Sequence, residues 1–230
     1  MPVNKEKYTE TIKALSEKNV QLIAVSKVQS VADILELYNM GQRDFGENYV
    51  QELVEKQEQL PKDIRWHFIG HLQRNKVKYI APFIHLIQGV DSFSLLKEIN
   101  KESHKAGRKI QCMLQVHIAQ EETKFGLSEE ELSVVMDTLT TNPALLSHVE
   151  IRGLMGMASF SADLKKVSEE MEHLKKLFQK CKLQTGEFST IKTPFTILSM
   201  GMSGDYITAI EHGSNMVRIG SLLFGARFAK

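Results

Sequence analysis

Cysteine is scarce in this sequence. Only Cys112 and Cys181 occur among 230 residues, and no C-x-x-C pair is present. That argues against a structural zinc site and suits a reducing compartment. Long apolar runs are lacking too: none approaches the roughly 18 residues that a membrane span needs. The opening stretch, MPVNKEKYTETIKALSEKN, has no apolar core of the kind a secretory signal carries. Nor is there charge of one sign. The formal net charge is +1 and the pI is near 7.8, so no nucleic-acid face, acidic tail or polybasic membrane patch is expected. No G-x-G-x-x-G, Walker loop or H-E-x-x-H occurs. These absences point to a cytoplasmic protein with neither membrane nor nucleic acid among its partners.

What is present is a repeated unit. Tyr8, Ile12 and Leu15 share one face of an N-terminal helix. QLIAVSK then has the pattern of a strand buried on both faces. Ser30 and Asp33 form a capping-box start to a helix whose Val31, Ile34, Leu35 and Tyr38 lie on one stripe, and Gly41 ends it. The alternation recurs with strands at 43–48, 65–70, 85–91, 109–118, 149–157 and 195–201. An eighth lies in NMVRIGSLLFG, and Ser128 and Glu131 open another capped helix. Eight strands alternating with helices imply a parallel sheet covered by helices. No strand reads as a polar edge, which favours a closed (β/α)8 barrel, a TIM barrel, over an open sheet. One such barrel needs about 250 residues, so residues 1–230 are expected to form a single domain. The stretch from Ala119 to Gly126 is polar and is expected to be mobile.

In such barrels the active face lies at the C-terminal ends of the strands. Lys27 ends the first strand pattern after the apolar residues Leu22 to Val25. Partial desolvation there favours the neutral amine, which can attack an aldehyde; the ordinary alternative is a lysine that reaches out to solvent. Ser199 to Asp205 and the Gly220–Ser221 pair are small-residue turns at the seventh and eighth strands, where these barrels often bind phosphate. The alternative for both is a capped helix and a tight turn. Arg218 lies between Val217 and Ile219 in a buried strand and needs an acceptor; a neighbouring carboxylate such as Glu47 would be a purely structural partner. His67 and His71 have no carboxylate at a fixed offset to orient them, and neither is assigned a role. Met155 and Met157 read as barrel filler.

AVSK, FGENYVQE, WHFIGHLQRNK, KFGL, LMGM, SMGMSGD and VRIGSLLFG occur in this order between Ile23 and Gly225. Together they resemble the pyridoxal phosphate homeostasis proteins. The resemblance implies the barrel half of alanine-racemase-type enzymes (fold type III of the pyridoxal-phosphate proteins) without the second, β-rich domain of those racemases. Residue by residue, it implies pyridoxal 5'-phosphate as a Schiff base on Lys27, with Ser203, Gly220 and Ser221 on the phosphate. It also implies Arg218 beside the pyridine nitrogen and Asn48 near the ring. Many relatives have threonine where this chain has Ser221, and relatives vary between proline and histidine at His71. An arginine, always charged and donor-only, favours an unprotonated ring nitrogen and weakens the ring as an electron sink.

The resemblance implies a monomer that holds the cofactor in vitamin B6 and amino-acid balance, with apo-enzymes as recipients and no metal. Two enzymes share parts of this pattern. A pyridoxal-phosphate-dependent amino-acid racemase would use Lys27 as one base but needs a second base on the opposite ring face, which in the racemases comes from a partner's second domain. A Schiff-base aldolase on a phosphorylated sugar would need the lysine and the phosphate turns, but not Arg218 in the ring position.

Overall fold

The computed structural model describes residues 3–119, 125–161, 163–185 and 194–225. Helix α1 (Lys5–Glu17) precedes the barrel. There follow β1 (Gln21–Val25), α2 (Val31–Asn39), β2 (Asp44–Glu47), α3 (Val50–Gln59) and β3 (Arg65–Phe68). A 3₁₀ turn at Arg74–Lys76 runs into α4 (Val77–Ile80), then β4 (Leu86–Val90), α5 (Phe93–Lys105), β5 (Ile110–Val116) and α6 (Glu129–Thr141). A second 3₁₀ turn (Pro143–Leu146) leads to β6 (Val149–Gly156), α7 (Leu164–Gln184), β7 (Ile197–Ser199), α8 (Tyr206–Glu211), β8 (Met216–Ile219) and α9 (Ser221–Phe224). All eight strands pair in parallel in chain order, and β8 returns to β1, closing the barrel.

Local chemistry accounts for the boundaries. Ser30 accepts from the Asp33 backbone N–H while Asp33 accepts from that of Ser30, the reciprocal pair the sequence suggested; Ser128 and Glu131 do the same for α6. Gly41, at φ +103°, follows α2 in a conformation that glycine takes freely. The strands are shorter than the apolar runs: β1 stops at Val25, so Lys27 lies in the turn beyond it. SLLFG, expected within the last strand, is the short helix α9, entered from Gly220. Of the polar stretch 119–126, residues 120–124 lie outside the described residues.

Two cores result. The larger lies between the outer faces of the strands and the helices; α1 joins it through Tyr8 and Leu15, and the Asn4 N–H donates to the Leu223 carbonyl at 2.8 Å, tying α1 to α9. The smaller fills the barrel with Ile23, Leu86, Met113, Met155 and Met216. Met155 is thus filler, as its type suggested. No helix among the described residues is long and apolar enough to cross a membrane.

Candidate functional site

The residues singled out at strand ends converge on one arc of the mouth. Val25 pairs with Gly46, so the turns that carry Lys27 and Asn48 leave neighbouring strands side by side across the β1–β2 seam. Ala24 pairs with Ile219, which sets Gly220 beside Val25 across the β1–β8 seam. The approach is tight: a Cβ on Gly220 would lie 3.2 Å from both Val25 Cβ and the Val25 carbonyl oxygen. The turns after β7 and β8 are joined directly, because the Gly220 N–H donates to Ser203 Oγ at 3.3 Å. Ser221 opens α9 from the same turn. Lys27, Asn48, Ser203, Arg218, Gly220 and Ser221 therefore all belong to β7, β8, β1 and β2 or the turns after them.

The Lys27 turn is braced from outside the barrel. Val28, next in sequence, has φ 65°, a region that β-branched residues rarely enter, and its N–H donates to Glu52 Oε1 at 2.5 Å. Lys56, buried on α3, donates to the Ser26 carbonyl (2.8 Å), Glu47 Oε1 (2.8 Å) and Glu52 Oε1 (2.6 Å), using all three ammonium hydrogens. Ser26 Oγ also donates to Glu47 Oε1 at 2.6 Å. Burial pushes the Glu47 carboxyl above the ordinary range, and Lys56 offsets this only in part.

Glu47 is thus not the partner of Arg218. Gly46 faces inward, where an added Cβ would lie 2.9 Å from Ile23 Cγ2, so its neighbour Glu47 projects outward to α3. Arg218 is buried, 4% exposed. Its Nη1 donates to Ser199 Oγ at 2.6 Å and its Nη2 to the Gly156 carbonyl at 3.0 Å. It has no carboxylate within ion-pair distance among the described residues. Burial lowers its pKa to about 10, with Asp205 opposing. On the neighbouring arc, Asn48 Oδ1 is buried without a hydrogen-bond partner among the described residues. A buried cation with no countercharge beside it and a buried acceptor with no donor are both groups that a polar ligand would satisfy.

Both histidines have orienting carboxylates, contrary to expectation. His67 Nε2 lies 3.0 Å from Asp44 Oδ1 and His71 Nδ1 2.6 Å from Asp91 Oδ2, each carboxylate coming from an adjacent strand or its end. His71 also stacks on Phe125, ring centroids 4.0 Å apart. Asp44 is gripped on its other side by Arg65 through two bonds, 2.8 and 2.5 Å. Burial alone would raise the Asp44 carboxyl; the bonds from Arg65 and His67 together outweigh it and hold the group well below the usual carboxylate range. His85 brings a ring nitrogen to the same cluster, with metal-ligand atoms of Asp44, His67 and His85 within 4.8 Å of one another. The Arg65 guanidinium on the shared carboxylate opposes a divalent cation there.

His85 also makes a prediction. Burial first, then the neighbouring His67, lowers its pKa to about 4 from 6.5. Between those values the unfolded chain binds more protons than the folded one, so stability falls as pH falls through this window. His85→Gln should flatten the fall in urea midpoint between about pH 7 and about pH 5. An unchanged slope would show that His85 is not held neutral.

The polar interior was not anticipated beyond Arg218. Gln88, Ser199, His67 and Asp44 are all buried. The one readable signal was a glutamine within the apolar run LIQGV, where a strand buried on both faces has no solvent to offer it.

Known proteins share this sequence pattern and fold. Residues 6–228 match the family model for the alanine racemase N-terminal domain. The chain is 37% identical over 226 residues to the pyridoxal phosphate homeostasis protein of Vibrio alginolyticus, covering 96% of this chain and 92% of that one. It superposes with TM-score 0.81 and 33% identity on PipY of Synechococcus elongatus PCC7942, solved with pyridoxal phosphate bound, covering 94% and 99% of the two chains. An alanine racemase from Bartonella henselae shares the fold at 17% identity and TM-score 0.71, with 98% of this chain matching 60% of that one. The chain belongs to the pyridoxal phosphate homeostasis protein family.

Proposed function

We propose that this protein holds pyridoxal 5'-phosphate at the mouth of its barrel, as a Schiff base on Lys27, and serves the supply of that cofactor rather than turnover of a substrate. The observation that carries this reading is the convergence of six residues on the β7–β8–β1–β2 arc around a buried arginine that lacks an adjacent countercharge. Two likenesses support it: the Vibrio alginolyticus relative is named for pyridoxal phosphate homeostasis, and PipY was solved with the cofactor bound.

When bound, the cofactor supplies an aldehyde for condensation with an amine and a ring that draws electrons from it. Lys27, as the neutral amine, would be the group that condenses with this aldehyde, with loss of one water. Ser203, Gly220 and Ser221 receive the phosphate, the first two already linked across the β7–β8 seam. Arg218 would face the pyridine nitrogen and, being donor-only, would favour its unprotonated form. Asn48 Oδ1 offers the ring substituents an acceptor. In this reading residues 1–230 act as one cytoplasmic cofactor-binding domain, a monomer, with apo-enzymes as recipients.

The phosphate turns give the test. Hydrogen bonds to a charged group contribute roughly 1.5–3 kcal/mol each, so pyridoxal, which keeps the aldehyde, should bind at least about ten-fold more weakly than its phosphate. Ser203→Ala should weaken the phosphate form and hardly touch pyridoxal. Titration of both forms on wild type and variant, read by the visible band, decides the matter. Equal binding of the two forms, or equal weakening by the variant, would remove these turns from the phosphate.

A further inference from the structure

A file of hydrogen bonds crosses the barrel interior, and only its first member, Arg218, has a part in the function proposed above. It begins at Arg218, near the C-terminal end of β8. Arg218 donates to Ser199 Oγ (2.6 Å), Ser199 Oγ to Gln88 Oε1 (2.8 Å), and Gln88 Nε2 to His67 Nδ1 (3.2 Å); His67 Nε2 then meets Asp44 Oδ1 (3.0 Å). Asp44 opens β2 at the opposite end of the barrel, where it also holds Arg65.

The chemistry of the ends fixes the direction of every link. A guanidinium only donates and an ionised carboxylate only accepts. His67 must therefore carry its proton on Nε2, facing Asp44. Its Nδ1 then accepts from the Gln88 amide, whose orientation is set independently: Nε2 also lies 3.3 Å from Met216 Sδ, a sulfur that can only accept. Gln88 Oε1 is left to accept from Ser199, and Ser199 Oγ to accept from Arg218. All four bonds point the same way, from cation to anion, and aligned bonds in a low-dielectric interior polarise one another. The amide of Gln88 does not pass protons on, so the file orients charge and transports none.

We propose that Ser199, Gln88 and His67 couple Arg218 to Asp44 as a separated ion pair, making them positioning residues that hold the arginine charged and aimed at the cofactor's ring nitrogen. This rests on the reading of Arg218 as the partner of that nitrogen. It also gives Arg218 a countercharge from the far end of the barrel, in addition to the Asp205 carboxylate in the turn after β7.

The test uses pyridoxal phosphate labelled with ¹⁵N in the ring and bound to the whole protein, because the ring-nitrogen chemical shift reports the donor that faces it. Arg218→Leu defines the value without a donor. Gln88→Leu is expected to move the shift at least half of that way, and Asp44→Asn to move it in the same direction by less. Gln88→Glu places a carboxylate one link from Arg218. It should restore the wild-type shift and make a further Asp44→Asn change silent, a rescue that a merely structural role for Gln88 would not produce. A wild-type shift in Gln88→Leu, with Arg218→Leu displaced, overturns the coupling and leaves the ring-nitrogen reading standing. An unmoved shift in Arg218→Leu overturns that reading and the proposal with it. In the cofactor-free protein, urea unfolding of Asp44→Asn, Arg218→Leu and the double variant should give a combined effect about ten-fold smaller in unfolding constant than the product of the single effects. Additive effects there overturn the coupling without reference to the cofactor.

Discussion

Lys27→Ala is expected to abolish the visible absorption that pyridoxal phosphate acquires on this protein, and to leave no pyridoxyl mass on the chain after borohydride reduction. The wild type should carry that mass on the peptide containing Lys27. Several features single this lysine out. It stands in the turn directly after β1, beside the turn after β2 that carries Asn48 on one side and next but one to Val25, against which Gly220 packs, on the other. The turn cannot drift, because Ser26 and Val28 on either side are held by Lys56 and Glu52 from α3. A fixed amine beside the turn proposed to hold the phosphate would gain the large effective concentration that positioned reactants enjoy. A surface lysine has no such advantage and should label slowly and at low occupancy. Reduction that places the mass mainly on any other lysine would refute the assignment, even if the visible band were present.

Lys56→Met should be the most destabilising single change near the site. It strands Glu47, fully buried, beside Glu52 and removes the bond to the Ser26 carbonyl. Breaking a buried pair by deleting one partner costs about 3–5 kcal/mol. The Glu47 carboxyl is already raised by burial with Lys56 present, and without the ammonium it rises further. A raised acid binds more protons in the folded state, so the variant should regain stability as pH falls toward the ordinary glutamate range. Adding Glu47→Gln should recover part of the loss, since the stranded charge is gone. Urea denaturation of the wild type and the two variants measures this. A loss under about 1 kcal/mol for Lys56→Met would mean that solvent reaches the pair, as at surface ion pairs.

What could be read from the sequence was what is local in it. The capping boxes at Ser30 and Ser128 are four-residue signals, and both helices start where they say. The strand count followed from apolar runs, and the closed barrel from the lack of a polar edge strand. Strand ends were overrun, because an apolar residue past the last ladder bond looks like one within it. SLLFG was misplaced for the same reason: nothing in its composition separates a buried helical turn from a buried strand. The partners of His67 and His71 were hidden because they come from neighbouring strands, 23 and 20 residues away. Pairing Arg218 with Glu47 failed on parity alone, since the inward position on β2 belongs to Gly46. The convergence of Lys27, Ser203, Gly220 and Arg218 was readable because barrel topology places consecutive strand ends side by side.

The barrel is also unevenly sewn. Strands β5 and β6 run for 7 and 8 residues and pair along their length, whereas β7 has 3 residues, β8 has 4, and a single register pair, Ser199 with Met216, joins them. Sub-global opening takes the least-stitched path, so amide exchange in the cofactor-free protein should be fastest along the β7–β8 join and slowest at β5–β6. A ligand whose phosphate spans the turns after those two strands would close that join like a clasp. The exchange rates there would then report cofactor occupancy, and release of the cargo and loosening of the barrel would be a single event.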